Sequence, residues 1–267
     1  MGAVSTPSED LALALELADV ADAITRAHYR ASDLKVTTKP DLTPVSEADT
    51  EAERAIRSQL AAERPGDAVM GEEYGDESDA DARRRWIIDP IDGTQNYVRG
   101  VPVWASLLAL ELDGEVMVGV VSAPALGRRW WATRGGGAFA ADPLTHAPRR
   151  LGVSAVASLE DAHVSVAGLE VWIAGARRDD VLALVGRCAR TRGFGDFWAH
   201  MLVAEGVVDV AIDSPGVAVW DLAALQVIVE EAGGRLSDLR GVRTVAGGEA
   251  VASNGVLHDD VLAIVGR

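Results

Sequence analysis

Two aspartates close a short apolar run in Trp86-Ile87-Ile88-Asp89-Pro90-Ile91-Asp92-Gly93-Thr94. Trp86 to Ile88 reads as a buried strand, and Gly93-Thr94 turns the chain away from it. Carboxylates as close as Asp89 and Asp92 repel each other and resist ionising together. Buried without partners they would be costly, so the pattern calls for a compensating charge. Other carboxylates stand at the ends of expected strands or the starts of expected helices: Asp41, Asp49, Glu72, Glu73 and Asp221. Hard oxygen donors of this kind suit Mg²⁺, which takes a few carboxylates and leaves positions to water and phosphate oxygens. Two such ions about 3.5–4 Å apart can clamp a displacement at phosphorus. Cations lying between them would let Asp89 and Asp92 stay ionised side by side. Gly93 would let the backbone approach an anion, and a helix beginning near Thr94 would aim free N–H groups at a phosphate.

Most of these residues also have a plainer role. Ser46 and Asp49 stand three apart at a helix start, so Asp49 can be half of a capping box. Asp221 follows Trp220 at another helix start and can serve as a partner for the helix dipole. Glu72 and Glu73 can be ordinary loop charges. Five histidines occur, at positions 28, 146, 163, 200 and 258, without ligand-like spacing. His28 and His200 read as structural residues on helices. No G-x-S-x-G elbow, Walker loop or G-x-G-x-x-G is found. Cys188 is the only cysteine, which rules out an internal disulfide, and its apolar neighbours suggest a buried helix position.

The elements that must position these groups follow from periodicity. Residues 9–30 place Leu11, Leu15, Ala18, Ala21 and Ile24 along one face of an amphipathic helix. A short strand at 33–39 and the loop Lys39–Asp49 lead into a second helix, stopped by Pro65-Gly66. Residues 67–75 form a short strand ending in Glu72-Glu73, and a charged loop covers 76–85. From 105 to 140, Asp113-Gly114 and Arg134-Gly135-Gly136-Gly137 punctuate apolar runs, the sign of antiparallel hairpins. Beyond residue 160, strands at 162–168, 208–213 and 249–254 alternate with helices at 179–190, 196–206, 219–234 and 258–266. This order predicts a layered α/β sandwich in one domain over 1–267. Its approximate halves are 1–150, carrying the metal-binding residues and the meander, and 151–267, carrying the substrate pocket.

The chain has 267 residues, 48% of them hydrophobic, enough to bury roughly 75% of the unfolded surface. Its 25 Lys and Arg against 41 Asp and Glu give a formal net charge of −16. Such a surface repels nucleic acid and anionic membrane, so neither is expected as a partner. An anionic substrate is still compatible if bound cations invert the local field. The N-terminus lacks the basic and apolar regions of a signal peptide, and apolar stretches are too short to span a bilayer. A cytoplasmic location is expected.

Together the stretches Lys39–Asp49, Gly71–Gly75, Trp86–Gly100 and Val219–Gly234 resemble the inositol monophosphatase superfamily of Mg²⁺-dependent phosphomonoesterases, over about residues 9–265. The resemblance implies a five-layer α-β-α-β-α sandwich, commonly dimeric, acting on a small phosphate monoester with two or three Mg²⁺ ions. It implies that Glu72, Asp89 and the Ile91 carbonyl hold one metal and that Asp89, Asp92 and Asp221 hold another. Asp49 with Thr94 would orient and deprotonate the attacking water, and Glu72 counts with them among the catalytic residues. Ile91, Asp92, Gly93, Thr94 and Asp221 would bind the phosphate end of the substrate.

Departures from the family pattern bear on the leaving group. Leu225 stands where a glycine is common, and Gln95 where a hydroxyl residue is common. After Gly195 come Asp196 and Phe197, where polyol phosphatases usually have small residues, and Asp213 is expected near the same pocket. A carboxylate and an aromatic ring suit a cationic alcohol better than a neutral polyol. With Arg99–Leu110 this pattern is similar to the actinobacterial histidinol-phosphate phosphatases of the superfamily, implying L-histidinol phosphate as substrate. Asp196 as a helix cap is an equal reading. Inositol or nucleotide-type 3′-phosphates, or a regulatory binding role without catalysis, are the rival functions.

Overall fold

The computed structural model describes residues 6–39, 43–76, 82–145 and 147–266. Asp41, His146 and part of the charged stretch after Asp76 lie outside the described residues. The chain opens with α1 (Pro7–His28), whose start is fixed by a capping box between Thr6 and Glu9. A two-stranded antiparallel ribbon, β1 (Val36–Thr38) and β2 (Pro44–Ser46), leads into α2 (Glu47–Glu63).

An eight-stranded sheet follows. It contains β3 (Ala68–Gly71), β4 (Gly75–Asp76), β5 (Arg84–Asp92), β6 (Ala105–Leu112), β7 (Glu115–Ala123), β8 (Arg128–Thr133), β9 (Gly137–Ala141) and β10 (Arg149–Arg150). The spatial order is β10-β9-β8-β7-β6-β5-β3-β4, and only the β3–β5 pair is parallel. Short α3 (Thr94–Arg99) joins β5 to β6. The β6–β7 hairpin turns on Asp113 and Gly114, both at positive φ, as a two-residue primed turn requires.

The second half builds a mixed five-stranded sheet from β11 (His163–Val166), β12 (Arg190–Arg192), β13 (Val210–Asp213), β14 (Arg235–Ser237) and β15 (Ala250–Ser253), in the order β12-β11-β13-β15-β14. Between these strands run α4 (Leu169–Ala174), α5 (Arg178–Arg187), α6 (Asp196–Ala204), α7 (Val219–Glu231) and α8 (His258–Val265).

Alternation along the strands sets the layers. On β5 and β6, Trp86, Ile88, Leu108 and Leu110 face Leu13, Leu17, Ile56 and Leu60 of α1 and α2. The intervening Ile87, Leu107 and Ala109 face the opposite way, onto Phe197, Met201, Leu222 and Leu225 of α6 and α7. The same helices meet Ala211, Ala250 and Ala252 of the small sheet. The other face of that sheet, with Val164, Val166, Val210, Ile212 and Val251, packs on Trp172, Val181, Leu184 and Val261 of α4, α5 and α8. The layers are therefore α, β, α, β, α, in the order anticipated. Among the described residues no helix is long and apolar enough to cross a membrane.

Several elements escape sequence reading: β2 forms inside the segment 39–49 expected as a loop, and β4 and β10 are two residues each. β12 is Arg-Thr-Arg, an edge strand with no apolar alternation, while α4 and β14 are too short to show a period. The fifth helix stops at Arg187, so Cys188 sits half-buried at its cap instead of inside it.

Candidate active site

β5 delivers Asp89 opposite Leu107 and Asp92 opposite Ala105, so three steps of β5 match two of β6. Residues three apart on a regular strand point to opposite faces; the extra residue of the bulge returns both carboxylates to one side. Pro90, lacking an N–H, is suited to that interruption, and its carbonyl accepts the Ser106 hydroxyl at 2.7 Å. The Ile91 N–H turns back onto Asp89 Oδ1 at 2.9 Å. Asp221 arrives from the first turn of α7, where its Oδ2 accepts the Ala218 N–H at 2.6 Å. α7 comes close to the sheet because Gly119 has no side chain: a Cβ there would lie 2.5 Å from Val227 Cγ1. One oxygen from each of Asp89, Asp92 and Asp221 lies within 4.8 Å of the others.

Burial pushes the Asp89 carboxyl well above the usual range, and the charges of Glu72, Asp92, Asp221 and Asp49 push it the same way. Asp92 is raised by burial and by Asp196 and Asp221, against the opposing bond from Phe197. Burial raises Asp221 to about 7 despite the Ala218 N–H. Converging, buried oxygen donors of like charge are what a hard divalent cation completes, because it offsets both desolvation and repulsion. The donor set fits Mg²⁺. Glu72 is not one of the three converging carboxylates. It stands beside them, where Lys39 Nζ lies 2.8 Å from both Glu72 Oε1 and Glu73 Oε1. Burial lifts Glu73 to about 7 while the Lys39 bond opposes it. Burial acts against the Lys39 ammonium, but its bonds to the two glutamates hold it above the usual lysine range.

Asp49 is fully buried in the first turn of α2 and uses its oxygens for different purposes. Oδ2 accepts the Ser46 N–H at 2.8 Å and the Ser46 hydroxyl at 2.6 Å, completing the cap. Oδ1 lies 3.3 Å from Thr94 Oγ1, which is also 2.9 Å from the Ile91 carbonyl. Burial raises Asp49 to about 6, with the Ser46 bonds opposing and Glu72 adding to the rise. Gly93, at φ 81°, holds a left-handed conformation, and a Cβ there would meet the Val103 carbonyl at 3.0 Å and Asp196 Oδ2 at 3.1 Å.

A cavity of about 530 Å³ opens over these groups. Glu72, Asp92, Gly93, Thr94, Asp196, Asp213 and Asp221 are among the residues that line it. Asp49, Asp89 and Ile91 stand behind the wall, joined to it by the approaches just described. Asp196 does not cap α6. It begins that helix at φ 48°, unusual for a residue with a side chain, and its Oδ2 accepts Asn96 Nδ2 at 2.9 Å. The cap comes from Asp92, whose Oδ2 accepts the Phe197 N–H at 2.8 Å. Gly195, before Asp196, also has positive φ and shapes this entry to the helix. Phe197 borders the cavity but is fully buried, its ring centroid 6.0 Å from that of Trp130, so it offers no exposed ring face. The half-buried aromatic on the wall is Trp220, next to Asp221. Asp213 Oδ2 lies 2.6 Å from Nε2 of His200, which is wholly buried.

Lys39, Asn96, His200 and Trp220 were not singled out for the site by sequence reasoning. Lys39, Asn96 and Trp220 lie inside stretches that carry the motifs; His200 shows no local signal.

Residues 6–267 match the family described as the inositol monophosphatase family. The chain is 55% identical over 254 residues to a histidinol-phosphatase of Mycobacterium tuberculosis, covering 95% of this chain and 96% of that protein. It is 51% identical to a histidinol-phosphatase of Streptomyces coelicolor, with 97% of each covered. Among solved structures, the Thermotoga maritima IMPase superposes with a TM-score of 0.84 at 32% identity, covering 96% of both chains.

Proposed function

The chain belongs to the inositol monophosphatase family, and on that footing we propose that it hydrolyses L-histidinol phosphate to L-histidinol and phosphate in histidine biosynthesis. It is a phosphatase. One observation carries the choice of leaving group: Asp196 and Asp213 face the same cavity as Asp92, Gly93, Thr94 and Asp221. A phosphate bound at Gly93 and Thr94 would then direct its alcohol toward an acidic wall. Histidinol carries an ammonium and an imidazole, both suited to charge-assisted bonds with carboxylates. The histidinol-phosphatases at 55% and 51% identity support the same choice.

Asp89, Asp92 and Asp221, with Glu72 and the Ile91 carbonyl, would hold two or three Mg²⁺ ions. When bound, these ions supply Lewis-acid polarisation of the phosphoryl oxygens and acidify a water. The protein's own part is positioning. The Thr94 hydroxyl stands between the Ile91 carbonyl and Asp49 Oδ1; in the reaction it would turn its proton to Asp49 and offer a lone pair to the incoming water. Asp49, buried and with Oδ1 facing Thr94, takes up the proton. The backbone N–H groups of Gly93 and Thr94 cradle the phosphate, while Asp196 and Asp213 orient the leaving alcohol. The enzyme would work as a cytoplasmic homodimer.

A phosphate-release panel tests this reading. L-histidinol phosphate should be turned over with a higher kcat/KM than inositol 1-phosphate or a nucleoside 3′-phosphate; the reverse order removes the substrate assignment and leaves the phosphatase class intact.

A further inference from the structure

We propose that His200 and Asn96 are positioning residues for the leaving group: neutral hydrogen-bond donors that aim the Asp213 and Asp196 carboxylates into the cavity without cancelling their charge. The inference rests on the reading that a cationic alcohol occupies that part of the cavity.

Several buried or half-buried carboxylates in this protein are held by cations, although Asp209 is held by the Ser154 hydroxyl and the His163 N–H and Asp49 by Ser46. Arg84 lies 2.5 Å from Asp10 and 2.7 Å from Asp67, Arg57 lies 2.8 Å from Glu53, and Arg128 and Arg149 lie 2.6 and 2.5 Å from Glu205. Each of those carboxylates has at least one guanidinium within ion-pair distance. Asp196 and Asp213 are treated differently. Asp196 Oδ2 receives an amide hydrogen from Asn96 at 2.9 Å. The same Nδ2 reaches the Val103 carbonyl at 3.0 Å, so both amide hydrogens are engaged and the group is fixed in one orientation. Asp213 Oδ2 receives His200 Nε2 at 2.6 Å. The other ring nitrogen, Nδ1, is buried without a partner, so a proton placed there would have no acceptor. With no acceptor at Nδ1, the ring hydrogen is placed on Nε2, facing Asp213.

Each bond engages Oδ2 of an aspartate that lines the cavity. Asp196 and His200 stand four apart on α6, hence on one face of the helix. One helix thus presents one acidic group directly and fixes the second from behind. Asn96 and His200 orient the carboxylates without an arginine or lysine beside them; an arginine in either place would have cancelled their charge.

The test compares L-histidinol phosphate with β-glycerol phosphate, whose leaving group is uncharged, in the Mg²⁺-loaded enzyme. His200→Leu should raise KM for L-histidinol phosphate with a smaller change in kcat, lowering the kcat/KM ratio between the two substrates about ten-fold. His200→Gln, which keeps an amide donor, should recover most of that ratio. Asn96→Ala should lower it in the same direction, and it carries the test alone if His200→Leu does not fold. Equal losses on both substrates, without rescue by glutamine, would overturn the positioning role while the wild-type preference stands. A wild-type enzyme indifferent to leaving-group charge would overturn the substrate reading and this inference with it.

Discussion

Asp92 Oδ2 accepts the Phe197 N–H at 2.8 Å, so one carboxylate belongs to the acidic cluster and also caps the helix that carries Asp196 and His200. The helix that carries Asp196 and His200 is therefore fastened directly to the acidic cluster. Asp92→Asn keeps an oxygen that can cap and removes the charge, whereas Asp92→Ala removes both. In EDTA the asparagine variant should melt at or above wild type, because repulsion in the cluster is relieved. The alanine variant should be less stable than the asparagine variant by about 1 kcal/mol. Indistinguishable melting of the two variants would show that the contact is not a cap.

Mg²⁺ affinity should rise with pH across the range in which the cluster loses protons. In the metal-free protein, burial raises Asp49 from 3.8 to about 6 and Asp221 from 3.8 to about 7. Between those values the folded state binds more protons than the unfolded chain, so these groups stabilise the fold at low pH and lose that contribution as pH rises through 6 to 7. A cation must displace those protons. The increase in Tm produced by a fixed Mg²⁺ concentration should be larger at about pH 7.5 than at about pH 5.5. An equal increase at both would contradict protonation of the cluster.

His258 sets an opposite slope. It is fully buried, with Ser237 Oγ 2.9 Å from Nε2 and Ser253 Oγ 2.8 Å from Nδ1. Burial, helped by Arg235, lowers it from 6.5 to about 4. Between those limits the unfolded chain takes up a proton that the folded protein refuses, so stability falls as pH drops from 6.5 toward 4. The loss has a ceiling of about 3 kcal/mol. Denaturant unfolding in Mg²⁺ at about pH 5 and about pH 7.5 should show a smaller difference for His258→Gln than for wild type. An identical difference would remove His258 as its source.

Asp196→Asn keeps the shape of the side chain and removes its charge. The kcat/KM ratio of L-histidinol phosphate to β-glycerol phosphate should fall about ten- to a hundred-fold, corresponding to a lost charge-assisted bond of roughly 1.5–3 kcal/mol. An unchanged ratio would mean that Asp196 serves only the local structure.

The residues of the candidate site were legible where chemistry is local. D-P-I-D-G-T announces a carboxylate pair, and Ser46 with Asp49 announces a cap that the structure retains on Oδ2 while Oδ1 meets Thr94. The layer order was legible because apolar periods mark α1, α2 and the meander, and α7 is an almost continuously apolar run closed by Gly233-Gly234. What could not be read is non-local. The bulge that brings Asp89 and Asp92 to one face appears only in their pairing with β6. Asp92 caps a helix 105 residues away, which explains why Asp196, the first residue of that helix, is not needed as its cap. Lys39 between Glu72 and Glu73, and His200 behind Asp213, depend on elements meeting in space. Phe197 carries the expected aromatic type, but packing against Trp130 takes its ring, and Trp220 remains on the wall.

The most direct measurement is phosphate release from L-histidinol phosphate before chelation, in excess EDTA, and after Mg²⁺ is restored. Turnover should disappear with chelation and return with Mg²⁺, and Asp89→Asn, although folded, should show none under any of the three conditions. Undiminished hydrolysis in EDTA, or a fully active Asp89→Asn enzyme, would contradict a metal-dependent phosphatase built on Asp89, Asp92 and Asp221.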